Sequence, residues 1–253
     1  MVKDGNGSLV QATSTDFFYS ITFCNDARAD YWHHDKSAHK SPLPNQVCTT
    51  LAKLGKRAMI RWARDKGYPW DSSVCADVAR SGNLELLRLV RDYGCPWGAS
   101  TTAMAAQGGH IACMLWAHGQ GCPLDETACA MAAAGGQVDV LVFLYSGGFP
   151  WDETTCTMAA RYGHFLELEY AHDQGCPWDA ATCAAAAEGG YLEILMGSPW
   201  DERTCAMAAS CGHLRVLQWA RAHGCPWDKT TLQMAEDSGH LEVVQWARDN
   251  GCQ

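Results

Sequence analysis

The chain has 253 residues, with 19 Lys+Arg against 28 Asp+Glu and a formal net charge of -9. That balance disfavours non-specific binding to nucleic acid or to anionic membrane surfaces. Apolar runs fall far short of the ~20 residues a membrane-spanning helix needs, and Met1 to Gly7 lacks the basic-then-apolar order of a secretion signal.

Residues 1–45 carry no period. Ser, Asp, Lys, His and Pro dominate there, apart from the apolar stretch Asp16 to Phe23. A loose N-terminal tail is expected, or an eroded cap whose aromatics cover the first repeat. His33, His34, Asp35 and His39 make the one local cluster of metal-ligand types. Their spacing matches no recognised site, so no metal and no cofactor are expected.

From residue 46 onward the chain repeats itself. Gly-Cys-Pro-Trp begins at Gly94, Gly175 and Gly224, with variants at Gly67, Gly121, Gly148 and Gly197. The fourth residue of the phrase falls at 70, 97, 124, 151, 178, 200 and 227, so every step is 27 residues except one of 22. A fixed period in this range marks a stacked array and turns expectation from catalysis toward binding surfaces.

One unit shows what the period builds. Asp201 is placed to cap a helix, because its carboxylate can accept free backbone N–H groups. Thr204 to Ser210 is rich in Ala and Met, which are good helix formers. Gly212 suits the left-handed residue that ends a helix. Leu214, Val216, Leu217 and Ala220 then recur at helical spacing, which predicts a second helix from Leu214 to Ala222 with Trp219 on its buried stripe. Gly224 ends that helix, and Pro226 blocks continuation. Two short helices cannot bury their apolar faces alone, so the units must stack. The register can be traced eight times over residues 46–253, predicting an all-α solenoid of about eight helix–turn–helix repeats. The unit after Cys183 loses five residues, leaving Tyr191 to Met196 as its second helix and the weakest joint of the stack.

The 14 cysteines suggest at first a disulfide framework or a zinc site. Their placement argues for core packing instead. Cys48, Cys75, Cys129, Cys156, Cys183 and Cys205 share one repeat position, and Cys95, Cys122, Cys176, Cys225 and Cys252 share another. Equivalent positions in stacked helices lie roughly 8–10 Å apart, too far for a bond or a shared ion. Free cysteine packs as a small apolar group, and a reducing compartment, the cytoplasm, is expected.

Ala-Ala-x-x-Gly-His-Leu-Glu-Val, carried most clearly at Ala208 to Leu217 and at Gly239 to Val244, resembles the centre of the ankyrin repeat. The family unit is longer, roughly 33 residues. The residues missing here all fall in the connection between units, where ankyrins project a β-hairpin. Arg203-Thr204-Cys205-Ala206 also stands where the family has Thr-Pro-Leu-His. The resemblance implies a divergent ankyrin array with shortened or absent hairpins. Trp97, Trp178 and Trp227 would plug the gap each hairpin leaves.

The resemblance further implies a protein partner on the concave face. The matching positions are the residue after Pro-Trp-Asp (Ser72, Glu126, Glu153, Glu202, Lys229), the residues before the turn glycine (Arg80, Ser81, Gln107, Arg161, Tyr162, Glu188, Asp237) and the residue before the second glycine (Tyr93, Gln120, Gln174, His223). These vary from unit to unit while the framework does not. Met104, Met131, Met158, Met207 and Met234 share one position and read either as inter-repeat packing or as an adaptable binding groove. His110, His164, His213 and His240 follow the turn glycine and read as helix-start residues. No phosphate loop, nucleophile elbow or His-Glu-x-x-His pair is present. The expectation is a monomeric, non-catalytic protein–protein interaction module, in the host cytoplasm for a viral member. The alternative is an adaptor that delivers a bound partner to other machinery, such as ubiquitin ligation, through its N-terminal segment.

Overall fold

Aspartates open six of the first helices. Asp71, Asp125, Asp152, Asp179, Asp201 and Asp228 adopt extended backbone, and each carboxylate accepts the N–H two residues on at 2.9–3.1 Å. Such a cap contributes ~1 kcal/mol to its helix. Gly98 is the exception and offers no side-chain cap. The computed structural model describes residues 2–3, 9–10, 47–195 and 200–252. The expected tail or cap over 1–45, the His33–His39 cluster included, lies outside them, save that Val2–Lys3 (β1) pairs antiparallel with Leu9–Val10 (β2).

Eight helix pairs follow in chain order: α1/α2 (Val47–Lys53/Arg57–Asp65), α3/α4 (Ser72–Arg80/Leu84–Asp92), α5/α6 (Ala99–Gln107/Ile111–Gly119) and α7/α8 (Glu126–Ala134/Val138–Ser146). After them come α9/α10 (Glu153–Tyr162/Phe165–Asp173), α11/α12 (Ala180–Gly189/Leu192–Leu195), α13/α14 (Glu202–Ser210/Leu214–Ala222) and α15/α16 (Lys229–Asp237/Leu241–Asp249). The connections between pairs carry no strand among the described residues. This is an all-α repeat solenoid.

Both turns of a unit end on a glycine in the left-handed region, and among the described residues no other residue type goes there. Gly94 donates its N–H to Arg91 O at 2.8 Å and Cys95 donates to Val90 O at 3.0 Å, so two orphan carbonyls of α4 are satisfied at once.

Each first helix packs on the next first helix along the whole array, whereas the second helices touch one another far less. Alanine makes this possible. Ala105, Ala106, Ala132, Ala133, Ala159, Ala160, Ala186 and Ala187 are all fully buried at this contact. At Gly135 a Cβ would lie 2.2 Å from the carbonyl oxygen of Gln107 in the preceding unit, so that contact admits no side chain at all. The first helices are thus the closely packed side of the stack.

The second helices bury one stripe each, such as Leu86, Leu87 and Val90 or Val216, Leu217 and Ala220. The bulky residue of that stripe does not follow. Trp219 is half-buried, because its indole is too large for the seam and lies over the surface against Trp200. Two of the connecting tryptophans span successive second helices. Trp97 lies 4.4 Å below the Arg91 guanidinium of the preceding unit and 5.7 Å from Trp116 of its own. Trp227 repeats the arrangement with Arg221 at 4.3 Å and Trp246 at 5.7 Å.

A second interlock runs along the turns. His110 lies over Gly82 of the unit before it, His164 over Gly136, Tyr191 over Gly163, His213 over Gly190 and His240 over Gly212, while Gln137 covers Gly109. A Cβ on Gly163 would sit 2.3 Å from the Tyr191 ring. The four histidines are helix-start residues, as predicted, but their side chains serve the neighbouring unit. His213 Nε2 meets the Glu188 carbonyl at 2.9 Å.

Candidate functional site

The candidate surface is the exposed stripe of the first helices. Its floor is small: Ala103, Ala130, Ala184 and Ala206 are buried there. Beside each alanine except Ala184 stands a methionine, and Met104, Met131, Met158, Met207 and Met234 are all half-buried. The inter-repeat packing reading of these methionines holds for Met207. Met207 packs against the core, and all five keep part of a flexible, polarisable side chain on the surface.

Helices of nine residues rise ~13 Å, so each first helix presents two separated ends. At the N-terminal end Ser72, Glu126, Glu153, Glu202 and Lys229 are each the first residue of their helix and are exposed. The six capping aspartates join them, so the described part of this edge is strongly acidic, with Arg203 and Lys229 the basic residues in its first turns. At the C-terminal end stand Arg80, Ser81, Gln107, Arg161, Tyr162, Glu188 and Asp237. Arg161 Nη1 and Glu188 Oε1 pair across two units at 2.6 Å, both part-exposed, and such a pair is worth ~1 kcal/mol or less. Ser81 is exposed and donates its hydroxyl to Val78 O of its own helix at 2.8 Å. Gln107 is half-buried.

Tyr93, Gln120, Gln174 and His223 lie elsewhere. Each caps the C-terminus of a second helix. Tyr93 leans on Trp70 at 6.5 Å, and His223 stacks on Trp219 at 4.2 Å. Tyr93 and His223 belong to the aromatic ladder on the second-helix side, and none of the four stands on a first helix. The acidic edge went unread in the sequence. The signal was there, in an aspartate recurring just after Pro-Trp, but its role as a cap hid its contribution to one side of a groove.

Thirteen cysteines lie among the described residues; all carry free thiols, and only Cys211 is exposed. Burial pushes the Cys129 thiol up to about 12 and raises that of Cys113 as well, so these thiols stay protonated and inert near neutral pH. The two repeat positions treated separately in the sequence meet in space. Cys95, Cys122, Cys176, Cys225 and Cys252 each donate the thiol to the backbone carbonyl 24 residues back, at 3.1–3.4 Å. That carbonyl belongs to the residue capping the same unit's first helix. No group of three or more His, Cys, Asp or Glu is arranged to hold a metal ion among the described residues. No helix among them is long and apolar enough to cross a membrane. No protein-family model matches the chain, and no curated protein matches it in sequence.

Proposed function

We propose that the chain is a non-catalytic, ankyrin-like protein-binding module whose concave face takes a cationic segment of a partner protein. The observation that carries the reading is the make-up of the first-helix face: buried alanines, half-exposed methionines at one position in five units, and a carboxylate-rich edge. Methionine repacks around varied apolar side chains at little cost, and like-charge contact along the acidic edge would reject anionic partners. The turn-end residues that change from unit to unit, Arg80, Arg161, Glu188 and Asp237, would fix the register of what binds.

A photo-crosslinking residue at Met131 tests the reading against one at Arg88, on a second helix. Partner adducts should form at Met131 and disappear when Glu126, Glu153 and Glu202 are together changed to Lys. Adducts confined to Arg88, or indifferent to the triple change, would sink it. The adaptor reading rests on residues 1–45. Comparing partners held by the full chain and by residues 46–253 separates the two, because a partner kept only by the full chain favours the adaptor.

A further inference from the structure

Charge is segregated along the stack. Residues 47–92, the first two units, hold 9 Lys+Arg against 5 Asp+Glu, whereas residues 93–252 hold 6 against 18. Much of the basic excess stands on second helices. Arg61 and Arg64 lie on α2, Arg88 and Arg91 occupy the matching positions of α4, and Arg61, Arg64 and Arg88 are exposed. No carboxylate pairs with any of the four among the described residues, and the Glu85 carboxylate nearby is taken by Arg57 at 2.5 Å. Tryptophan rings hold three of the guanidinium groups. Arg64 lies 4.8 Å from the Trp70 ring, Arg88 5.7 Å from Trp116 and Arg91 4.4 Å from Trp97. A guanidinium stacked by one face keeps an N–H edge for a carboxylate. The position of Arg61 and Arg88 is filled by Leu115 on α6 and Val142 on α8, which are 41% and 38% exposed. Along this stripe units one to four thus present Arg, Arg, Leu and Val. Glu169 follows on α10, and Gln218 and Gln245 stand there on α14 and α16, so the run is confined to the first four units.

We infer that this stripe is a second binding surface, on the side of the stack away from the first helices, for an extended segment of another protein that carries two carboxylates and then two aliphatic side chains. The carboxylates meet Arg61 and Arg88, and the aliphatic groups meet Leu115 and Val142. Matching positions on packed helices lie roughly 8–10 Å apart, and an extended chain advances about 10 Å in three residues. One partner residue in three therefore faces each unit. Forked guanidinium–carboxylate pairing fixes the acidic end, and removal of aliphatic surface from water holds the other. A long polyanion does not suit the stripe, because the units that follow are strongly acidic. The ligand has the opposite charge to the one proposed for the first-helix face, so failure of either site leaves the other standing.

The test is fluorescence anisotropy of a labelled peptide, Glu-Ser-Gly-Glu-Ser-Gly-Leu-Ser-Gly-Leu, and of the same sequence reversed, each titrated with the intact chain. One of the two should bind. Arg61→Gln with Arg88→Gln should weaken that binding about tenfold or more, and Leu115→Ser with Val142→Ser should weaken it as well. Arg203→Gln with Arg215→Gln removes the same charge elsewhere and should leave binding unchanged. All six positions are exposed, so the far-UV circular dichroism spectrum should not move. Should a variant misfold, a photo-crosslinking residue at Val142 decides the matter, and its adduct should be with a peptide leucine. An adduct with residues 1–45 of the same chain overturns the inference, because the chain's own N-terminal segment is then the occupant. Failure of both peptides to bind overturns it, as does an equal loss in the Arg203→Gln, Arg215→Gln chain. Displacement of the peptide by an oligothymidylate of equal charge also overturns it and marks a surface for nucleic acid instead.

Discussion

Three glycine-to-alanine changes within 17 positions separate the forces that hold neighbouring units together. Gly119 is the last residue of α6, and a Cβ there meets nothing within 4 Å. Alanine should stabilise at that site by ~0.5–1 kcal/mol, since it loses less chain entropy on folding. Gly121 is equally open but holds a φ of +85°, so alanine pays ~1–2 kcal/mol for the left-handed backbone. Gly135 has an ordinary φ of -94°, and its cost is contact alone. The new Cβ would stand 2.2 Å from Gln107 O and 2.9 Å from its carbonyl carbon. Those atoms are backbone of the preceding unit, so the two first helices must separate, and overpacking of this kind costs ~1–3 kcal/mol or more. For a chain of this size ~1 kcal/mol moves the melting temperature ~2–4 °C. Thermal melts followed by circular dichroism should therefore rise slightly for Gly119→Ala and fall for the other two. Gly135→Ala should also broaden the transition, because it weakens one joint of a nearest-neighbour stack. If Gly135→Ala melts with Gly119→Ala, the first helices of units three and four are not in carbonyl contact and the account of their close packing fails.

Three further outcomes follow from the same geometry. Trp219→Ala should cost ~2 kcal/mol, less than the ~2–5 kcal/mol of a fully buried Leu217→Ala, and denaturation of both variants checks the order. The side-chain hydrogen bonds of Ser73 and Thr230 hold the Asp71 and Asp228 carboxyls below the usual carboxylate range. Their contribution is present above the unfolded value of ~3.9 and is lost as pH falls through the lower folded one. Acid titration of stability should thus be steepest below pH ~4 and become shallower in Asp228→Asn. Finally, α12 spans Leu192–Leu195 among the described residues, in the unit shortened by five residues, so its amides should exchange fastest among the helices, and protection equal to that of α10 and α14 would show that the neighbours close over the deletion.

Most of the fold could be read before any coordinates, because period and caps constrain each other. Asp201, Gly212, Gly224 and the stripe from Leu214 to Ala222 occupy the places predicted for them. What escaped is whatever depends on how two distant points of a unit meet. Cys205 and Cys225 were compared with their equivalents in other units, where the helix spacing keeps sulfurs apart. The hairpin brings the two different positions together instead. Tyr93 and His223 were assigned to the concave face by analogy, yet as second-helix caps they are drawn onto Trp70 and Trp219. Trp219 itself obeys the helical period but exceeds the width of the seam, and periodicity carries no information about volume.

The rings laid over the turn glycines make the stack directional. Every unit from the third onward brings its own covering side chain and its own bare glycine, and the contact always reaches back to the preceding unit. His, Gln and Tyr all serve as the cover, while the glycine that receives them never changes. A duplicated unit would thus arrive with a plug that fits the socket before it and a socket that accepts the plug after it. Array length can change one whole unit at a time without a new interface having to be invented, and Gly239, whose socket is open, already has the shape that another such unit would require.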